Sequence, residues 1–126
     1  MKHWLAPLLA LALLLGASLW NARTVAQSVE DWCAALETTL PAAETEDWDT
    51  VRETLDRVYD AWNARQTYFH IMVEHAELDA AEALFAVSRS YAESEEAAEF
   101  RANTADLLTQ LTLLREMEAV SIRNIL

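Results

Sequence analysis

Glycine is nearly absent from this sequence. Gly16 is the only one, and Pro7 and Pro41 are the only prolines. Tight turns depend on these residues, so their scarcity excludes a β-rich or loop-rich fold. It also excludes a glycine-rich phosphate loop. Cysteine is as scarce. Cys33 stands alone, so no disulfide forms within the chain. Two readings stay open for it: a buried small apolar residue, which free cysteines usually are, or half of an intermolecular bridge. Glu30, Asp31 and Trp32 precede it, where lipid attachment needs small and apolar neighbours. Those acids raise a thiol pKa and so argue against a nucleophile. The serines lack a strand-turn-helix elbow. Positive charge is scarce too: nine Lys and Arg face 21 Asp and Glu, a net charge of -12. Such a surface repels nucleic acid and anionic headgroups, and attracts cations or a basic partner. We therefore expect no nucleic-acid partner, no cofactor and no enzyme.

Against these absences stands one long apolar run. Trp4 to Trp20 are seventeen residues without a charge. A secretory signal would need a small-x-small cleavage site. Ala17-Ser18-Leu19 ends in Leu, and Trp20-Asn21-Ala22 begins with a bulky Trp. Gly16-Ala17-Ser18 is the one passable candidate. The competing reading, which the residues favour, is a retained anchor. As a helix the run spans roughly 26 Å, slightly short of a hydrocarbon core of about 30 Å. Local thinning and the snorkelling of Asn21 and Arg23 would close that gap. Trp4 and Trp20 bracket the run as interfacial aromatics do, and Lys2 favours an N-terminus inside. Pro7 falls in the first turn, where it is tolerated.

The rest of the sequence is rich in Ala, Leu, Glu and Arg, all strong helix formers. Val25, Val29, Trp32, Leu36 and Leu40 form one helical stripe. No breaker separates it from the apolar run, so the anchor helix continues outward, and Pro41 is expected to stop it. Thr45 is the expected N-cap of the next helix, whose stripe runs Trp48, Val51, Leu55, Val58, Trp62, Phe69, Met72 and Ala76. That seam is heptad-like, but too short for an intermolecular coiled coil. Near His75 to Asp79 the phase shifts to Leu78, Ala81, Phe85, Ser88 and Tyr91, so a kink or break is expected. Ser94 reads as the N-cap of a last helix with Phe100, Thr104, Leu107, Leu111, Leu114 and Glu118 on its stripe. The apolar tail at Ile122, Ile125 and Leu126 should dock on the bundle. Trp48, Trp62, Phe69, Phe85, Phe100, Leu107 and Leu111 are the expected core.

One cluster invites a metal reading: His70, Glu74, His75 and Glu77. On a helix His70 and Glu74 are one turn apart, and imidazole with carboxylate suits a transition metal. A four-helix carboxylate site, however, repeats Glu-x-x-His on two helices, and the last helix has no inward copy. These four are thus candidates only, and a local hydrogen-bonded cluster is the plainer reading.

The stretch Phe69 to Asp79, Phe-His-Ile-Met-Val-Glu-His-Ala-Glu-Leu-Asp, resembles the hallmark of a bacterial family, domain of unknown function 4363. Tyr91 near the end of the following helix is similar as well. So are the Ser-x-x-Asn-Ile ending at Ser121 to Ile125 and the apolar N-terminal segment. The resemblance implies a membrane-tethered helical protein and carries no catalytic residues with it. The sequence therefore reads as all-α: an N-terminal transmembrane helix continuing into an antiparallel bundle of three to four helices. Residues 1-23 are the expected anchor, meeting the lipid bilayer through residues 4-20. Residues 24-126 are the expected acidic bundle outside the cell membrane. The expected role is a non-enzymatic accessory or interaction module for another membrane or envelope protein. The alternative is a cation-binding or metal-binding domain using the His70-Asp79 cluster.

Overall fold

The computed structural model describes residues 3-125. Five helices follow in order: α1 (Leu5–Glu44), α2 (Trp48–Ala64), α3 (Gln66–Met72), α4 (His75–Glu93) and α5 (Ala97–Ile125). No strand occurs among the described residues. The half of α1 beyond the apolar run joins α2, α4 and α5 in a four-helix bundle. Around the bundle α1 packs on α2, α2 on α4, α4 on α5, and α5 back on α1. Two tight turns, at Thr45–Asp47 and Ser94–Glu96, make the helices they join antiparallel. Short connections of this kind favour neighbours running in opposite directions.

Each expected core residue is buried: Trp48, Trp62, Phe69, Phe85, Phe100, Leu107 and Leu111. Trp62 sits at the centre, with ring centroids 6.2 Å from Trp32, 5.4 Å from Phe69 and 5.9 Å from Phe85. Trp48 meets Phe100 edge-to-face at 5.9 Å near the distal turns. Edge-to-face pairs add roughly 0.5–1.5 kcal/mol to what burial alone contributes. Glu30 and Glu44 of α1 pair with Arg115 and Arg101 of α5 at 2.8 and 3.1 Å, in keeping with an antiparallel arrangement of the two helices.

The helix ends differ from the sequence expectation. Pro41 does not stop α1, which runs on to Glu44. Proline forfeits the bond to the carbonyl of Glu37 and its ring crowds that carbonyl, but both residues are exposed, so the carbonyl is open to water. The stop comes at Glu46, whose φ of 62° is left-handed. Asp47 N–H donates to the Ala42 carbonyl and Glu46 N–H to that of Ala43, a Schellman motif. Thr45 is therefore the C-cap of α1, and Asp47 is the N-cap of α2, accepting from Thr50 N–H. Ser94 likewise ends α4 instead of starting α5. Its hydroxyl donates back to the Ser90 carbonyl.

Two further corrections concern the stripes. Thr39, not Leu40, is the fully buried rung of α1, and Leu40 is half-buried. The second stripe does not lie on one helix. It breaks at Arg65 and again at Val73 and Glu74, where the backbone is extended. Ala76, past that break, is exposed. Ser121 of the tail donates to the Met72 carbonyl at 2.8 Å, and Ile122 is half-buried. The Ile125 side chain, Leu126 and Lys2 lie outside the described residues.

Candidate functional site: the proximal end of the bundle

The sequence cluster lies where α3 turns into α4, at the end of the bundle next to the apolar run. We call this the proximal end. Val73 (φ -135°, ψ 152°) and Glu74 (φ -65°, ψ 141°) reverse the chain there. The reversal brings His70, in the last turn of α3, against His75, the first residue of α4. Their Nδ1 atoms are 2.9 Å apart and the rings stand T-shaped, with centroids 4.7 Å apart. One Nδ1–H donates and the other Nδ1 accepts through its lone pair. The two acids do not join them. Glu74 is exposed, and Glu77 turns toward α5, where its carboxylate and its carbonyl both accept from Gln110 Nε2 at 2.9 Å. Among the described residues no three His, Cys, Asp or Glu side chains converge as metal ligands would. Of the four candidates, then, the fold unites two.

Two carboxylates not singled out in the sequence do more. Glu118 lies on the core face of α5, only 2% exposed. The Tyr68 hydroxyl donates to it at 2.6 Å. Burial pushes the Glu118 carboxyl up from its ordinary value, against the lowering effect of that bond. Burial, then the bond to Glu118, raise the Tyr68 phenol. The pair joins α3 to α5. Glu82, half-buried on α4, accepts from the Tyr59 hydroxyl at 3.2 Å, from Trp62 Nε1 at 3.1 Å and from Gln66 Nε2. It joins α2 and the start of α3 to α4. The sequence signal for Glu118 was an acid in an apolar rung, four residues beyond Leu114. Glu82 carried no such signal, since it flanks its stripe. Cys33 is free and half-buried, and burial raises its thiol above the ordinary value.

Two concave surfaces open at this end. A shallow trough of about 410 Å³ lies between the α3–α4 turn and α5, lined by Met72, Val73, Leu113, Met117 and Val120 among others. A smaller cavity, about 220 Å³, is walled by Leu14 and Leu15 of the apolar run and by Tyr68, Met72 and Ile122 of the bundle. Both linings are mainly apolar.

The profile of a family described as Domain of unknown function (DUF4363) matches residues 19–125. This chain belongs to that family. The match takes in all four bundle helices and leaves most of the apolar run outside. The Phe69–Asp79 stretch that carried the resemblance is the proximal turn itself. In this family member it supplies a buried anchor, Phe69, and the imidazole pair. No curated protein matches the chain. No solved structure matches it either.

Proposed function

We propose that this DUF4363 protein is a single-pass membrane protein with its N-terminus inside and its acidic bundle outside the cytoplasm. The bundle serves as a non-enzymatic accessory or interaction module for another membrane or envelope protein. One observation supports the reading above the others. The stretch from Trp4 to Trp20 is uncharged and exposed throughout, and α1 carries on from it into the bundle core without interruption. Its apolar window is 0% buried, and α1 is long and apolar enough to cross a membrane. Burying one leucine side chain is worth roughly 1.5–3 kcal/mol. A run this rich in leucine left in water would therefore strongly favour lipid. The net charge of -12 suits a partner with a basic surface.

The test is extraction of the full chain from membranes by alkaline carbonate, with intact-mass analysis and protease added to intact cells. We expect the uncleaved chain in the membrane pellet and the bundle open to external protease. Release into the supernatant, a mature chain starting at Leu19, or protection of the bundle would each contradict the reading.

A further inference from the structure

The proximal cavity sets a depth. Leu14 and Leu15 belong to the apolar run, yet they share that cavity with Met72 of α3 and Ile122 of α5. Leu15 lies five residues before Trp20, about 7.5 Å along a helix axis. The tips of α3 and α5 therefore reach beyond the level of Trp20, alongside the last turns of the apolar run. Apolar exposure concentrates at the same place. Ile71, beside Met72 on α3, is 77% exposed, more than any other large apolar side chain outside the run among the described residues. Val120, 45% exposed, lines the neighbouring trough with Met72. One exposed isoleucine is ordinary on a soluble surface, but Ile71 adjoins Met72, which lines both hollows, and apolar exposure grouped beside an apolar run suits a lipid surface.

Charge divides the same way. Residues 18-28, 63-76 and 117-125 carry Arg23, Arg65 and Arg123 against Glu74 and Glu118. Glu118 is buried, and its burial disfavours the charged form. The rest of the bundle carries five Arg against 19 Asp and Glu. Overall acidity repels anionic lipid, but most of that excess lies away from these segments, although the exposed Glu116 also lines the trough. Arginine at such a level binds lipid phosphate while its stem lies over apolar surface.

We propose that the proximal end of the bundle is a membrane-docking surface. In it α3 and the last turn of α5 sit in the interfacial layer of the phospholipid bilayer that the apolar run crosses. Ile71, Met72 and Ile122 enter the acyl boundary, and Arg23, Arg65 and Arg123 lie at the phosphate level. The bundle is then held upright at the surface by two attachments, the span and this rim, instead of pivoting on one helix. The inference rests on the membrane-spanning reading of α1, and the experiment separates the two.

The full chain, with Cys33→Ala as background, is reconstituted in liposomes of neutral and anionic phospholipid. A nitroxide is attached through Leu11→Cys in the run, Ile71→Cys at the rim, or Glu95→Cys at the distal turn. Collision rates with oxygen and with a water-soluble nickel chelate give the depth of each label. We expect Leu11 deep, Glu95 aqueous, and Ile71 between them, with its oxygen-to-nickel ratio severalfold above that of Glu95. A deep Leu11 with Ile71 as aqueous as Glu95 overturns the docking surface and leaves the span standing. An aqueous Leu11 overturns both.

Discussion

Glu118 shows what a single residue can reveal and conceal. Its place on the α5 stripe was legible, because it follows Leu114 by one turn on an otherwise apolar face. Its partner was not, because Tyr68 lies 50 residues away on a helix that periodicity had merged with another. Burial raises its folded-state pKa above the unfolded value. The unfolded chain therefore binds fewer protons than the folded one between the two values, and stability falls as pH rises through that window. Above the folded pKa the charged, buried carboxylate is a net liability. Glu118→Gln keeps an oxygen to accept from Tyr68 and removes the charge. We expect the variant to melt higher than the wild type at pH 7 in a mild detergent, and to lose less stability between pH 5 and pH 7. Equal pH slopes in the two proteins would show that Glu118 is not the source. Tyr68→Phe is the complement: it leaves a buried carboxyl without its donor and should destabilise by roughly 1–3 kcal/mol.

At the scale of the element, periodicity was the reliable signal and punctuation was not. The seam Trp48, Val51, Leu55, Val58, Trp62 became the core face of α2 as written, because apolar spacing reports burial directly. The merger of α2, α3 and the start of α4 failed because nothing at Arg65 or Val73 is a breaker by type. Tertiary packing of Phe69 and Tyr68 sets those turns. The caps failed for a related reason. Thr45 and Ser94 are small hydroxyl residues that serve either end of a helix, and here both bond back to the preceding turn. Glycine, the usual mark of a C-terminus, is missing, and Glu46 (φ 62°) and Glu95 (φ 55°) take the left-handed position in its place. A side chain in that conformation costs about 1–2 kcal/mol, and glycine returns about half of the relief through its own backbone entropy. Glu46→Gly should therefore stabilise the protein by about 0.5–1 kcal/mol. Glu46→Ala removes the same charge but keeps the Cβ, and should gain little. Glu95→Gly should gain less than Glu46→Gly, since Glu95 also approaches Arg52 at 3.7 Å. Thermal melting of the three variants decides it: a gain for Glu46→Ala equal to that for Glu46→Gly would assign the effect to charge.

At the scale of the molecule, composition constrained most. The scarcity of Gly and Pro and the stripe lengths made an all-α bundle legible, and the apolar run set its polarity along the chain. Lateral order around the bundle was not legible. It shows only in contacts between positions far apart in sequence, such as Glu30 with Arg115 and Gln110 with Glu77. Charge balance sets the response of the fold to salt. The ion pairs of the bundle are exposed: the carboxylates of Asp49, Glu95, Asp56, Glu44 and Glu30 are 55% exposed or more. Such pairs contribute about 0–1 kcal/mol each. The repulsion among 21 acids facing nine bases is spread over the whole body. Repulsion of that kind acts over tens of ångströms at low salt, and the Debye length falls from about 30 Å to about 10 Å between 0.01 M and 0.1 M. Screening thus removes more repulsion than attraction, and compaction should become easier. We expect the melting temperature of the full chain in a nonionic detergent to rise over that salt range. The rise should shrink when Glu53 and Asp60, both exposed, are replaced by Gln and Asn. A melting temperature that falls with salt would mean that the ion pairs named above, and not the unbalanced acids, dominate the electrostatics of the fold.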